Sequence, residues 1–202
     1  MSYLPTTMHD ASFFWSNNLR KAVFFDRDGV INIDYGFVGK IENYDLVQGV
    51  PQALHHLKEL GFLLVLVTNQ SGIARGKYTE ADFFKVTQFL QENLRIADAC
   101  FDGIYFCPHH PEAPLAQYRQ ECECRKPKPG MFKKAAIDLD IDLSQSIMVG
   151  DHATDLIAAK NAGISKLYLV GEHIKTEKEL IEGCICYQDL SKMVQNLEIE
   201  KK

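Results

Sequence analysis

In the stretch VFFDRDGVIN, residues 23–32, a short apolar run leads directly into two carboxylates and a glycine. Asp26 and Asp28 stand two positions apart, at what we predict to be the carboxyl end of a β-strand. Ligands bind at such strand ends in α/β sheets. Two neighbouring acids are costly to place there unless a metal ion, a proton transfer or a covalent bond uses them. Taken alone, this stretch could also be a solvated turn. Three further segments of the sequence argue against that alternative.

Three further segments carry reactive groups in a matching arrangement. The apolar run LLVLV is followed by Thr68, whose hydroxyl can hold phosphate oxygens together with the free backbone N–H groups of a turn. The cationic turn RKPKPG contains Lys126 and leads into a predicted helix. A third apolar run, IMVG, precedes Asp151, with Asp155 at the start of another predicted helix. Each feature is common by chance, but an acid pair, a hydroxyl, a lysine and further acids in this order are not.

Apolar runs alternate with helical patterns along the chain. This alternation predicts an α/β fold, a Rossmann-like parallel sheet with helices on both faces. A capping box at Thr79 marks the start of one helix, and Gly163 marks the end of another. The predicted strands are 22–25, 62–67, 103–107, 146–149 and 166–170, with a short late strand near 184–186, and the predicted helices are 51–60, 79–97, 131–139 and 154–162.

Composition bounds the class of protein. Apolar content of 46% and charged content of 24% are typical of a globular domain. A net charge of −5 argues against nucleic-acid binding, and no apolar run approaches the ~20 residues of a membrane span. We expect a cytoplasmic monomer whose cysteines are thiols or metal ligands. The expected organisation is an N-terminal extension over residues 1–20, one domain over 21–197 and a charged tail over 198–202.

A metal-binding loop is predicted for residues 107–124, which carry two short pairs of thiol and imidazole groups. Three thiols and one imidazole fit tetrahedral Zn²⁺, and a long loop with little apolar content cannot be held by packing alone. The alternative is that these are ordinary loop residues, and His110 is a competing ligand. No catalytic role is expected, because four protein ligands leave no open position. The predicted ligands are Cys107, His109, Cys122 and Cys124.

Over about residues 22–170, this motif set resembles that of the haloacid dehalogenase superfamily of phosphohydrolases. The resemblance implies that Asp26 is a nucleophile that forms an aspartyl-phosphate and that Asp28 is the general acid and base. It implies that Thr68 and Lys126 contact the phosphoryl group. Mg²⁺ would be held by Asp26, Asp28 and Asp151. The role of Asp155 stays open between orienting Lys126, orienting a metal-bound water and capping the helix.

Many members of this superfamily carry a cap domain, for which the segments after Asp26 and before Lys126 leave no room. We therefore expect an open, capless site whose specificity comes from loops. The zinc loop is similar to those of two groups, the D-glycero-D-manno-heptose 1,7-bisphosphate 7-phosphatases and the histidinol-phosphate phosphatases. The segments TNQSGIARG and CPHHP look like the heptose group, whereas His152 departs from it, because that group often has Lys there.

The resemblance to the heptose group implies removal of the 7-phosphate from a heptose bisphosphate, for lipopolysaccharide-core or S-layer precursor synthesis. The alternatives are a histidinol-phosphate phosphatase and, in a different class, a non-catalytic zinc-stabilised binding module. The small-molecule partner would be a sugar phosphate, and the cofactors Mg²⁺ and Zn²⁺. The predicted substrate-binding residues are Asp34, Tyr35, Gly36, Phe37, Asn69, Gln70, Ser71 and Arg125.

Overall fold

A computed structural model describes residues 19–199 of the chain as one six-stranded parallel sheet with helices on both faces. The strand order is β3-β2-β1-β4-β5-β6. The strands are β1 (Ala22–Phe25), β2 (Leu63–Asn69), β3 (Gly103–Cys107), β4 (Ile147–Gly150), β5 (Lys166–Val170) and β6 (Ile185–Tyr187). The helices are α1 (Val50–Glu59), α2 (Ser71–Ala74), α3 (Glu80–Arg95), α4 (Gly130–Asp138), α5 (Ala153–Ala162), α6 (Ile174–Glu177) and α7 (Leu190–Ile199). The predicted α/β fold is confirmed.

The predicted strands and helices are all present, with ends that differ from the predicted ones by at most two residues. Prediction missed α2, α6 and α7. In α7 the buried positions Leu190, Met193 and Val194 follow helical spacing, so a signal existed. The predicted N-terminal extension lies outside the described residues except for Leu19 and Arg20. Of the predicted tail, only the end of α7 is described.

Strand β1 lies in the middle of the sheet, between β2 and β4, and is buried on both faces. Val23 and Phe25 pack into the layer that contains α1, α3 and α7, whereas Ala22 and Phe24 pack into the layer that contains α4 and α5. A central parallel strand is apolar on both faces for this reason. Each fully buried Phe stabilises the fold by roughly 1.5–3 kcal/mol.

Helix α3 begins with the predicted capping box. The Thr79 hydroxyl accepts a hydrogen bond from the Asp82 backbone N–H at 3.2 Å, and the Asp82 carboxylate accepts one from the Thr79 N–H at 3.0 Å. Two of the otherwise unpaired backbone donors at the helix start are satisfied in this way.

The carboxyl edge of the sheet is open. The connection from β1 to α1 is a loop with one 3-10 turn (Ile41–Asn43), and the connection from β3 to α4 contains another (Ala116–Tyr118). Both connections are described throughout, and neither contains a cap domain. Among residues 19–199, no helix combines the length and apolar character needed to cross a lipid bilayer.

Candidate active site

A cleft of about 340 Å³ lies at the carboxyl ends of β1, β2 and β4. Parallel strands deliver their following residues to this one edge, which is why segments far apart in sequence meet there. A hollow near Arg95 is larger, about 620 Å³, so size does not identify the site and its chemistry does. The sequence-predicted residues that line the cleft are Asp26, Asp28, Asp34, Gly36, Phe37, Asn69, Ser71, Arg125 and Lys126.

Lys126 is the buried cation of the cleft floor. Its Nζ lies 2.9 Å from Asp26 Oδ1 and 2.7 Å from Asp155 Oδ1, and it donates to the Val67 carbonyl at 2.8 Å. Burial opposes the charged form, yet Asp155 and Asp26 raise the pKa of Lys126 above its ordinary value. The side chain is therefore an ammonium group at neutral pH, aimed at the proposed nucleophile.

Three buried acids lie close together at this edge of the sheet, and their carboxylates could hold a divalent cation. Asp26, Asp151 and Asp155 each place a carboxylate oxygen within 4.8 Å of the others. Burial raises the pKa of Asp26, and burial together with the charges of Asp26 and Asp155 raises the pKa of Asp151 to about 9. Within the described residues, Oδ1 of Asp151 is buried without a hydrogen-bond partner. Mg²⁺ prefers such carboxylate oxygens and would offset their charge.

Asp155, whose role the sequence left open, bonds to two groups. Its Oδ1 pairs with Lys126 at 2.7 Å, and its Oδ2 accepts the backbone N–H of His152 at 3.1 Å. Asp155 is 2% exposed. Both carboxylate oxygens are therefore used, so Asp155 orients Lys126 and caps the start of α5 at the same time.

The Asp28 carboxylate reaches the cleft with 20% of its side chain exposed. Polar residues that were not predicted from the sequence donate hydrogen bonds to this carboxylate. Arg27, with a fully buried side chain, donates from Nη2 to Oδ1 at 2.9 Å, and Asn32 donates to the same oxygen at 3.0 Å. A signal for Arg27 did exist, because a cation between two acids at a strand end must be paired if it is buried.

Thr68 and Gln70 lie beneath the cleft. The Thr68 hydroxyl accepts a hydrogen bond from Gln70 Nε2 at 2.9 Å, and Thr68 is 1% exposed. Gln70 is also 1% exposed, and its amide bonds to Asp28 and to the Tyr78 hydroxyl. Gln70 is not part of the cleft lining, and both ends of its amide are bonded inside the protein. Its contact with substrate stays a prediction.

Asn69 positions Lys126 through the backbone. Its Nδ2 donates to the Lys126 carbonyl at 3.1 Å, and its Oδ1 accepts from the Lys126 N–H at 3.1 Å. This reciprocal pair links the end of β2 to the cationic turn 57 residues later. The neighbouring Arg125 lines the cleft and donates from Nη1 to the His109 carbonyl at 3.3 Å.

The loop of residues 33–40, here called the rim loop, forms one side of the cleft. Asp34, Gly36 and Phe37 line the cleft. Phe37 has a φ of 56° and is 48% exposed, an uncommon backbone conformation for a bulky residue. Tyr35 is not part of the cleft lining, and its hydroxyl donates to Asp45 at 2.9 Å.

The four predicted zinc ligands converge. The thiol sulfurs of Cys107, Cys122 and Cys124 lie 3.2–3.5 Å from one another. Nδ1 of His109 is 3.8 Å from the Cys107 sulfur and 3.5 Å from the Cys124 sulfur. All six cysteines are free thiols. Three sulfurs and one imidazole nitrogen at these spacings could hold Zn²⁺ tetrahedrally.

The competing ligand His110 points elsewhere. Its Nε2 lies 3.0 Å from Arg75 Nη2, and its Nδ1 accepts the Glu112 backbone N–H at 3.1 Å. His152 also lines the cleft, and its Nδ1 lies 2.8 Å from Glu177. Its ring stacks on His173 with the centroids 4.2 Å apart.

Comparison with known proteins agrees with this geometry. A family model described as HAD-hydrolase-like matches residues 123–190. The D-glycero-beta-D-manno-heptose-1,7-bisphosphate 7-phosphatase of Vibrio cholerae is 52% identical over 151 residues, which cover 75% of this chain and 81% of the relative. The chain belongs to the haloacid dehalogenase-like phosphatases. The Escherichia coli K12 protein of the same name is 49% identical over 160 residues, covering 78% of this chain and 84% of the relative.

A solved structure extends the likeness to the whole fold of this phosphatase. The D,D-heptose 1,7-bisphosphate phosphatase from B. bronchiseptica, complexed with magnesium and phosphate, superposes with a TM-score of 0.79 at 35% identity. The match covers 89% of this chain and 99% of that one. The predicted resemblance to the superfamily and the prediction of a phosphoric monoester hydrolase are confirmed.

Proposed function

We propose that this phosphatase removes the 7-phosphate of D-glycero-D-manno-heptose 1,7-bisphosphate and yields heptose 1-phosphate for lipopolysaccharide-core or S-layer precursor synthesis. The relatives named for this reaction support the choice of substrate. The observation that carries the proposal is the buried Lys126, held between Asp26 and Asp155 at the floor of an open cleft.

In the proposed reaction, Asp26 attacks phosphorus and forms an aspartyl-phosphate. Lys126 offsets the negative charge of the phosphoryl oxygens. Asp28 gives a proton to the leaving alkoxide as its P–O bond breaks, and later takes a proton from the water that cleaves the aspartyl-phosphate. The Thr68 hydroxyl accepts from Gln70, which leaves its own O–H free to donate to the phosphoryl group.

Two metal sites belong to the proposal. Asp26, Asp151 and the backbone carbonyl of Asp28 would hold Mg²⁺, which supplies positive charge to the phosphoryl oxygens when bound. The three thiols and His109 would hold a structural Zn²⁺ that fixes the loop. Because this loop runs directly into Arg125, its order determines where the cationic turn lies.

The second phosphate of the substrate needs a cationic partner in a site without a cap. Arg125 lines the cleft next to Lys126 and is held by the His109 carbonyl. A guanidinium group binds phosphate in a bidentate manner, so Arg125 can reach past the reacting group. We propose that this contact favours a bisphosphate over a monophosphate.

A phosphate-release assay tests the substrate. It compares both anomers of the heptose bisphosphate with histidinol phosphate and p-nitrophenyl phosphate, in the presence of Mg²⁺. The heptose bisphosphate should have the highest kcat/KM. A preference for histidinol phosphate would overturn the substrate, and no hydrolysis of any ester would favour the binding module.

Arg125→Ala should lower kcat/KM for the bisphosphate by about ten- to a hundredfold, because a hydrogen bond to a charged group is worth roughly 1.5–3 kcal/mol. The loss for p-nitrophenyl phosphate, which has no second phosphate, should be much smaller. Arg119→Ala is the matched control, since Arg119 donates to the carbonyls of Ala113 and Pro114 in the same loop and is not part of the cleft lining. Equal losses for both esters together with reduced zinc content would show that Arg125 only supports the loop.

A further inference from the structure

A group of buried polar side chains surrounds Asp28, and the contacts that these side chains make with Asp28 have no role in the chemistry above. Arg27 and Asn32 are fully buried, Gln70 is 1% exposed and Tyr78 is 9% exposed. We infer that Arg27, Gln70 and Tyr78 are positioning residues that hold the Asp28 carboxyl in one orientation for proton transfer. This inference rests on the proposed function, in which Asp28 is the acid and base.

Arg27 binds both the acid and the rim loop. Its Nε and Nη2 donate to Asp28 Oδ1 at 3.1 and 2.9 Å, and Nη2 also reaches Asp28 Oδ2 at 2.9 Å. The same Nη2 donates to the Val38 carbonyl at 2.6 Å. Among the described residues, Nη1 of Arg27 is buried without a hydrogen-bond partner, so the bonds of Nε and Nη2 to Asp28 and Val38 are the ones that offset the cost of burying this cation.

Gln70 is a second donor to Oδ2 of Asp28. Its Nε2 donates to Asp28 Oδ2 at 3.0 Å and to the Thr68 hydroxyl at 2.9 Å. Its Oε1 accepts from the Tyr78 hydroxyl at 2.5 Å. If the amide were rotated by 180°, its oxygen would face the Asp28 carboxylate and repel it. Tyr78, as the donor to Oε1, therefore stabilises the amide orientation that Asp28 needs.

Tyr78 is wedged between two glycines. A Cβ at Gly39, at the end of the rim loop, or at Gly72, in α2, would overlap with the Tyr78 ring. Packing thus holds the ring of Tyr78, and the hydroxyl is not needed to hold it. The hydroxyl donates to Gln70 instead. Burial raises the pKa of Tyr78 to about 12, so the hydroxyl keeps its proton and remains a donor at neutral pH.

The consequence is measurable through the leaving group. A sugar alkoxide must receive a proton from Asp28 when the P–O bond breaks, whereas p-nitrophenolate leaves without one. The kcat/KM value reports only the steps up to loss of the leaving group, so it excludes hydrolysis of the aspartyl-phosphate. A misplaced Asp28 should therefore impair turnover of the sugar phosphate selectively, and a merely structural defect should impair both esters.

The test compares Tyr78→Phe and Gln70→Met with the wild type, using the heptose bisphosphate and p-nitrophenyl phosphate. Tyr78→Phe removes the hydroxyl and keeps the ring between the glycines. Tyr78→Phe should lose roughly tenfold or more in kcat/KM for the sugar phosphate and less than about twofold for the aryl ester. Gln70→Met also removes the bond to the Thr68 hydroxyl, so it should lose activity with both esters and clearly more with the sugar phosphate. Tyr105→Phe is the matched control, because it removes a tyrosine hydroxyl that bonds Asp138 at the surface.

Equal losses for the two esters, or no loss for either, would overturn the inference, and melting temperatures would show whether a variant is folded. A wild-type protein that cleaves neither ester would instead overturn the proposed function, and the inference with it. The two failures are therefore distinguishable in one set of assays.

Discussion

Asp26 combines two properties that a carboxylate nucleophile needs, a fixed cation at 2.9 Å and a place at the floor of a cleft. Lys126 does not depend on Asp26 alone, because Asp155 holds its ammonium group at 2.7 Å. A substitution that removes the Asp26 charge therefore leaves the lysine paired and the fold intact. Because Lys126 stays paired with Asp155, the proposed role of Asp26 as nucleophile can be tested by a substitution at Asp26 alone.

Asp26→Asn should reduce turnover by several orders of magnitude, as is typical for loss of a covalent catalyst, because an amide is a poor nucleophile. Phosphate release measures turnover, and thermal unfolding measures the fold. The matched control is Asp138→Asn, an exposed acid paired with Lys134, which should keep its activity. More than about a tenth of wild-type activity in the Asp26 variant would reject it as the nucleophile.

At the scale of elements, the start of α3 depends on its capping box. Thr79→Ala should lower the free energy of unfolding by about 1 kcal/mol, because the hydroxyl that accepts the Asp82 N–H is lost. Thr79→Ser keeps a hydroxyl and should restore most of the stability. Urea unfolding measures both variants. If Thr79→Ala unfolds at the same urea concentration as the wild type, packing of α3 alone determines where this helix begins.

The capping box also carries a pH dependence. Hydrogen bonds from Thr79 lower the pKa of Asp82 below its ordinary value of 3.8. A lowered pKa means that the ionised form is favoured in the folded state. The stabilisation from Asp82 is therefore complete above the ordinary pKa and is lost as the pH falls through the lower pKa of the folded protein. The stability difference between the wild type and Asp82→Asn should disappear in that acidic range.

The zinc loop is the second element whose stability is testable. Cys122→Ser should lower bound zinc, which we expect at one ion per chain, and should lower the melting temperature, because thiolates bind Zn²⁺ far more tightly than a hydroxyl does. Activity should fall because Arg125 and Lys126 follow this loop directly. Cys186→Ser, outside the cluster, is the control. A protein purified under reducing conditions that contains no zinc would contradict this prediction.

At the scale of the whole molecule, a net charge of −5 opposes the binding of an anionic substrate. Three buried acids also lie close together at the carboxyl edge of the sheet, and the ammonium group of Lys126 pairs with two of them. A bound divalent cation would offset this charge and stabilise the folded protein. Such a cation would therefore contribute to both the activity and the stability of the molecule.

Removal of Mg²⁺ with EDTA should stop phosphate release, and added Mg²⁺ should restore it. Saturating Mg²⁺ at a hundred times its Kd should raise the free energy of unfolding by about 2.7 kcal/mol, measured as a thermal shift. Asp151→Asn should lose this shift. Because EDTA also removes zinc, zinc content must be measured alongside. Full activity without any divalent cation would refute the metal requirement.

Local patterns in the sequence predicted the sheet, the main helices and the order of the reactive groups along the chain. Apolar runs mark buried strands, and in a parallel sheet every strand end reaches the same edge, so Asp26, Thr68 and Asp151 were predicted to lie together. The spacing of thiols and imidazoles likewise indicated that three cysteines and one histidine of the long loop lie together. These features depend on near neighbours in the chain, which a sequence displays directly.

Contacts between distant segments required the folded molecule. The sequence does not show that Gln70 lies beneath the cleft or that Tyr78 fills the space between Gly39 and Gly72. The sequence also does not show that Asp155 pairs with Lys126 through one carboxylate oxygen and caps the start of α5 with the other. The physical reason is that these positions are set by side-chain packing and hydrogen-bond pairing across the sheet edge, which local periodicity does not encode.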